Sequence, residues 1–161
     1  MSKLSERMIQ LTQGKSTLVD EDDYERFKDL KFYAVNYKGW WYAKTTTPHR
    51  YLHRLILNVK NNEYVDHING DGLDNRRCNL RTATNSQNQM NSKKPSGGTS
   101  RYKGVNWNKE DNCWYSRITA NKKSIFLGCY FSEIDSAKIY DKMATELFGE
   151  YAKLNFPEEV S

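Results

Sequence analysis

The chain has three cysteines in 161 residues, Cys78, Cys113 and Cys129, odd in number and far apart. Such a pattern is neither a disulfide framework nor a zinc motif, so reduced thiols are the expectation. No apolar run nears the length of a membrane span, and the mean hydropathy is −0.90. The first residues lack the apolar core of a signal peptide, so the expected location is the cytoplasm of the host cell, with no membrane partner. The Asp/Asn/Gly-rich run starting at Asp66 lacks the closing acid of a calcium loop. Its twelfth position is Arg77, where an EF-hand needs a bidentate glutamate. No RNA-recognition signature is present, and nothing points to a small-molecule substrate.

What is present is charge, unevenly placed. The net charge is +5 and the sequence pI about 9.0, which favours a polyanionic partner. Residues 44–110 hold twelve Lys/Arg against five Asp/Glu, whereas residues 16–30 hold two against six. Positive charge therefore gathers on the middle of the chain and the linker behind it, where phosphate neutralisation would need it.

The middle also carries chemistry. Residues 64–88 read YVDHINGDGLDNRRCNLRTATNSQN. Cutting a phosphodiester requires a nucleophile and neutralisation of the charge that develops on the leaving oxygen. His67 titrates near neutrality and is the natural general base. Asp66 and Asn88 offer a carboxylate and an amide carbonyl, hard oxygen donors suited to Mg²⁺, with Mn²⁺ as the alternative. Zinc would recruit sulfur and further imidazoles, which this segment does not line up. Taken singly, Asn79 is a turn residue, Asp66 a solvated carboxylate and His67 a surface histidine; the four together in this register favour the site.

Local signals give the segment a shape. VDHI and NLRTAT are β-prone around the turn-rich NGDGLDN, and Thr84 or Asn85 is the expected cap of a short helix through Asn88. Neighbouring strand residues face opposite ways, so Asp66 and His67 can serve one phosphate only if the pleat is distorted there. Residues 49–91 resemble the catalytic finger of HNH endonucleases, specifically the phage and intron-type homing enzymes. The resemblance implies a ββα-metal fold, His67 as general base, Asp66 and Asn88 as metal ligands, and Asn79 as the residue holding the finger in place. A His-Arg pair upstream, His53 and Arg54, also recurs in that family, and a phosphate contact is the expected role. Arg76, Arg77 and Arg81 complete the expected DNA contacts of the finger.

Residues 1–45 form the expected lead-in module: a strand at 17–19, a helix capped by Asp20 through Tyr24, Phe27 and Leu30, then two aromatic strands about Lys38-Gly39. Trp40, Trp41 and the tyrosines are expected to be packing residues. Residues 92–101, SKKPSGGTSR, are the expected flexible basic linker. Residues 102–157 alternate as three antiparallel strands joined by KEDN and NK. A helix follows, started by Ser132 with Asp135 and striped by Ile134, Ala137, Tyr140, Ala144 and Leu147. The fold class expected is therefore α+β: lead-in, finger at 46–91, tether, and a three-stranded sheet on one helix.

YKGV, the Trp114 strand, FLG with its following aromatic, the S-x-x-D…AxxYD helix start and the closing LNFP resemble the APETALA-two/ethylene-response-factor DNA-binding domain. In that family the exposed sheet face enters the major groove. The matching face here carries Lys103, Asn106, Tyr115, Arg117, Thr119, Ser124 and Phe126, with Trp107, Lys122 and Lys123 as backbone contacts. Asn106, Thr119, Ser124 and Phe126 stand where plant members carry arginine or tryptophan, so plant sequence specificity does not transfer. HNH fingers read few bases, so a cutting finger and a groove reader belong together. The expectation is a homing-type endonuclease hydrolysing double-stranded DNA with one divalent metal, nicking as a monomer or cutting both strands as a homodimer. The alternatives are a non-catalytic DNA-binding regulator that keeps the finger as a structural element, and an RNA-associated relative.

Overall fold

The computed structural model describes residues 6–60, 62–94 and 97–160. The chain divides into two compact units between Asn88 and Gln89. Both are α+β, built from small antiparallel sheets with short helices.

In the first unit, β1 (Glu6–Gln10) pairs with β2 (Ser16–Asp20), and α1 (Glu21–Phe27) follows directly. The strand expected at 17–19 is β2; its partner β1 had no sequence signal. Asp20 stands at the N-cap of α1, but its side chain makes no cap bond. Its Oδ2 accepts from the backbone N–H of Arg77 at 2.8 Å instead. Next come β3 (Phe32–Tyr37) and β4 (Trp40–Thr45), a hairpin closed by Lys38 and Gly39, both at positive φ. That is the two-residue turn whose twist matches the strands it joins. After α2 (Leu52–Leu57), β5 (Tyr64–His67) pairs with β6 (Leu80–Ala83), and α3 (Asn85–Met90) ends the run. Thr84 and Gln87 cap α3 reciprocally, each backbone N–H donating to the other's side chain.

One apolar core serves the whole unit. Ile9, Val19, Phe27, Phe32 and Ala43 from before residue 46 pack with Leu52, Ile56 and Leu80 from after it. Val19 and Leu52 are fully buried, and cutting Leu52 to alanine would cost about 2–5 kcal/mol. The hairpin also presses on the loop after β5. A Cβ on Gly72 would lie 2.4 Å from the backbone oxygen of Trp41, so only glycine fits there.

In the second unit, β7 (Val105–Asn108), β8 (Cys113–Ala120) and β9 (Lys123–Tyr130) form a sheet in that order. The turns fall at residues 109–112 and at Asn121-Lys122, where the sequence places them. A bulge interrupts β8 and β9 between Ser116 and Arg117. The helix α4 (Glu133–Phe148) packs on one face, with Ser132 Oγ accepting from the Asp135 N–H as its cap. Its buried side is Ser136, Ala137, Tyr140, Asp141, Ala144 and Phe148; Ile134 and Leu147, expected inward, are 45% and 43% exposed. Asp141 turns in because it accepts from the backbone N–H groups of Asn155 and Phe156, fixing the C-terminal segment. Gly104 lets the helix close: a Cβ there would meet the Tyr140 ring.

Two expectations are corrected in this unit. Cys113 and Cys129 form a disulfide across the β8–β9 hairpin, with Cα atoms 5.7 Å apart, while Cys78 is free and exposed. The basic linker is docked at its end: Ser100 is buried and its hydroxyl donates to Glu133 at 2.7 Å, and Trp107 N–H reaches Thr99 Oγ1. Pro95 and Ser96, at the linker's centre, lie outside the described residues. Among the described residues no helix is long and apolar enough to cross a membrane.

Candidate active site and DNA-facing surface

The loop between β5 and β6 is laced by its own short polar side chains. Asn69 Oδ1 accepts from the Asp71 N–H at 2.7 Å, and Asp71 Oδ1 accepts from Leu73 N–H at 3.0 Å, consecutive Asx turns. Asn79 closes the loop from the far side. Its Nδ2 donates to Asn69 Oδ1 and to the Asp74 carbonyl, and its Oδ1 accepts from the Asn69 N–H. Its own carbonyl takes the Ile68 N–H. Strand β2 is welded to the same loop: Leu18 N–H donates to the Leu73 carbonyl, and Asn75 N–H to the Leu18 carbonyl.

His67 sits at the end of β5, buried at 7% exposure. Its Nε2 lies 3.2 Å from Asn75 Oδ1. His53 meets its ring edge-on at 5.1 Å, and Tyr42 leans over it at 6.1 Å. Burial pushes the His67 pKa below the ordinary histidine value, opposed by the Asn75 bond and by Asp66, Asp71 and Asp74. The imidazole is therefore neutral near physiological pH, the state a base needs.

Asp66 is buried as well, and Arg81, its partner across the β5–β6 ladder, clamps it: Nε and one terminal nitrogen reach Oδ2 at 2.9 and 2.8 Å. The ladder runs from Tyr64↔Ala83 to His67↔Leu80 without a shift of register. Asp66 turns towards Arg81 and His67 towards Asn75. Asn88 lies half-buried on α3. Among the described residues no group of three or more His, Cys, Asp or Glu could hold a metal ion. Donor chemistry still fits a hard divalent ion in one respect. A carboxylate and a carboxamide are what Mg²⁺ takes when water and phosphate oxygens complete its shell, and neither thiolate nor a histidine set competes.

The side chains expected to contact DNA from the finger have partners within their own unit. His53 is buried against Tyr42, Tyr51 and His67, and its pKa is pushed down to about 3 by burial, helped by His67 and Arg54. Arg54 donates to the carbonyls of Lys60 and Glu63. Arg76 is paired with Asp74 and Glu6, and holds the Asp74 carboxyl below its usual range. Arg77 reaches Asp23, only 1% exposed, at 2.7 Å. The acidic stretch of the lead-in thus engages Arg77, while Arg76 and Arg81 find carboxylates elsewhere in the same unit.

The second unit differs. Lys103 is withdrawn, its ammonium donating to the Met90 and Ser92 carbonyls and its pKa lowered to about 8 by burial, with Lys153 adding to it. Trp107 packs edge-on against Trp114 at 5.1 Å, and Asn106 is half-buried. Arg117, Thr119, Lys122, Lys123 and Ser124 are exposed, and Phe126 is 59% exposed. Tyr115 is half-buried beneath the Arg117 guanidinium, 5.6 Å from its ring. Register confirms a shared face: Asn106 opposes Tyr115, Arg117 opposes Phe126 and Thr119 opposes Ser124. Ser116 and Ile118 are buried on the other side.

Sequence reasoning missed Asn75, Thr17 and Asp74. Their role comes from contacts between segments far apart in the chain, and the Asp-Asn pair read locally as a turn.

Residues 50–90 match the family profile described as HNH endonuclease. An uncharacterised HNH endonuclease of Acanthamoeba polyphaga mimivirus is 33% identical over 137 residues, covering 78% of this chain and 71% of that protein. Protein 3.8 of Escherichia phage T7 is 37% identical over 91 residues, covering 56% of this chain and 74% of its own. The sequence around the Asp-His pair thus supports a nuclease. This chain is a member of the HNH endonuclease family. An ethylene-responsive transcription factor of Arabidopsis thaliana is 39% identical over 75 residues, 45% of this chain and 41% of its own length, in the C-terminal region. No solved structure matches. HNH nucleases generally use a divalent metal ion, and DNA is the implied partner.

Proposed function

We propose that this chain is a site-directed, homing-type endonuclease that hydrolyses phosphodiester bonds of double-stranded DNA. The first unit cuts and the second reads. The observation that carries the reading is the buried, neutral His67, hydrogen-bonded and flanked by Asp66, inside the segment that matches the family. His67 takes the proton from the attacking water. Asn79 holds the loop that presents it, a positioning role. Asp66 and Asn88 would hold the divalent ion, Mg²⁺ or Mn²⁺, as the ββα-metal arrangement implies. When bound, that ion neutralises charge on the phosphate and leaving oxygen. Arg117, Tyr115, Thr119 and Phe126 face the major groove, and Lys122 and Lys123 meet phosphates.

The experiment is conversion of supercoiled plasmid carrying the gene's flanking DNA, with Mg²⁺ and with EDTA, beside His67→Ala. Metal-dependent open-circle or linear product that vanishes in the variant is expected, and the product form separates nicking from double-strand cutting. One observation favours the second reading, a non-catalytic DNA-binding regulator: the Asp66 carboxylate is held by Arg81. Tight DNA binding with no product across metals and substrates would decide for it.

A further inference from the structure

A neutral imidazole has one N–H and one lone pair, and only the nitrogen with the lone pair can act as base. Donor and acceptor accounting in the core decides which nitrogen that is. Thr17, on β2, is 1% exposed, and its hydroxyl lies 2.7 Å from the Leu73 carbonyl. A carbonyl only accepts, so the single hydroxyl hydrogen of Thr17 is spent there. Towards Asn75, 2.7 Å away, Thr17 Oγ1 can then only accept. The Asn75 atom facing it is therefore Nδ2, which also reaches the Gly72 carbonyl at 3.3 Å, a second acceptor-only group. Two independent acceptors thus fix an amide orientation that would otherwise be ambiguous. With Asn75 fully buried, its Oδ1 is turned to His67 Nε2 at 3.2 Å. An amide oxygen accepts, so Nε2 donates.

We infer that Asn75, clamped by Thr17, is a positioning residue that holds His67 in the Nε2–H tautomer and makes Nδ1 its basic nitrogen. The device spans 58 residues of sequence, and it makes the N-terminal hairpin part of the catalytic machinery rather than an appendage. The kinetic consequence rests on the nuclease reading; the tautomer does not.

The first measurement is the nitrogen NMR of His67 in labelled, metal-free protein at mildly alkaline pH, assigned by difference from His67→Gln. A protonated Nε2 and a lone-pair Nδ1 are expected. Asn75→Ala should populate both tautomers and lower kcat for plasmid cleavage about a hundredfold, with KM for DNA unchanged. Should that variant fail to fold, Thr17→Val against Thr17→Ser asks the same question: valine loosens the tautomer and serine, which keeps the hydroxyl, restores it along with the rate. Nδ1–H in the wild type, or an unchanged tautomer in Asn75→Ala and Thr17→Val, would overturn the inference while leaving plasmid cleavage intact. The expected tautomer pattern in a protein that cuts no substrate would uphold this wiring and count against the nuclease reading instead.

Discussion

The two units treat polar side chains in opposite ways. In the first, Arg54, Arg76, Arg77 and Arg81 are each committed to carbonyls or carboxylates of their own chain, and both His53 and His67 are buried. In the second, Arg117, Thr119, Lys122 and Lys123 stand exposed on a sheet whose other face is covered by α4. A cutting centre needs side chains held within a fraction of an ångström, which internal partners supply. A reading surface needs side chains able to meet a partner, which internal partners would consume. Net positive charge alone did not separate the two uses.

The comparison is tested hardest by exchanging losses. His67→Ala should reduce cleavage by about a thousandfold or more while leaving DNA affinity within about twofold. Equal loss of binding and cleavage would place His67 in DNA recognition instead. Arg77→Ala is next in size. It takes away the hydrogen bonds to the Asp23 carboxylate, 1% exposed, leaving only Arg26 at 3.8 Å, and should lower the stability of the first unit by about 2 kcal/mol, read as a drop in denaturant midpoint. The salt slope of DNA binding should stay as in the wild type. A shallower slope with unchanged stability would return Arg77 to the DNA-contact role that its position in a basic segment suggested.

Much of the architecture was legible because it is written locally. Lys38-Gly39 and Asn121-Lys122 mark two-residue turns; alternation along β8 gives its faces; Thr84 and Ser132 announce their helices. The candidate site was legible as residue types in register, among them Asn79, whose amide bonds to Asn69 and the Asp74 carbonyl across the loop. What stayed hidden is long-range. The Thr17–Asn75 bond joins residues 58 apart and the Arg77–Asp23 pair residues 54 apart, and no local pattern encodes either. Cys113 and Cys129 looked unrelated because their closeness follows from the register of a hairpin, not from their spacing. Ile134 and Leu147 fit a helical stripe, yet the packed face of α4 is rotated so that Asp141 and Phe148 turn inward.

Burial of the histidines sharpens the comparison through pH. His53 titrates near 3 in the folded chain and near 6.5 when unfolded, because burial disfavours its charged form. Between those values the unfolded chain binds a proton that the folded chain refuses. Its contribution to stability is therefore complete above pH 6.5 and is lost as pH falls towards 3. By about pH 5 the loss should reach about 2 kcal/mol in the first unit, from roughly 1.4 kcal/mol per pH unit. Thermal unfolding followed against pH should show this slope, and His53→Gln should reduce it, leaving the part that His67, also lowered by burial, contributes. An equal slope in the variant would assign the acid sensitivity to His67 and to carboxylates such as Asp74.

The smallest effects are expected on the open face, where each side chain can be removed without stranding a partner. Arg117→Ala and Phe126→Ala should each weaken DNA binding by about tenfold or less and leave stability within about 0.5 kcal/mol. Lys122→Ala and Lys123→Ala should each lower the slope of log affinity against log salt by about one, the signature of one phosphate contact. Lys103→Ala is the internal control, since its ammonium is held by the Met90 and Ser92 carbonyls. Removing it should cost stability, leave the salt slope unchanged, and so separate a withdrawn lysine from the exposed lysines of the same unit. If Lys103→Ala changed the slope and Lys122→Ala did not, the reading face would lie elsewhere on this unit.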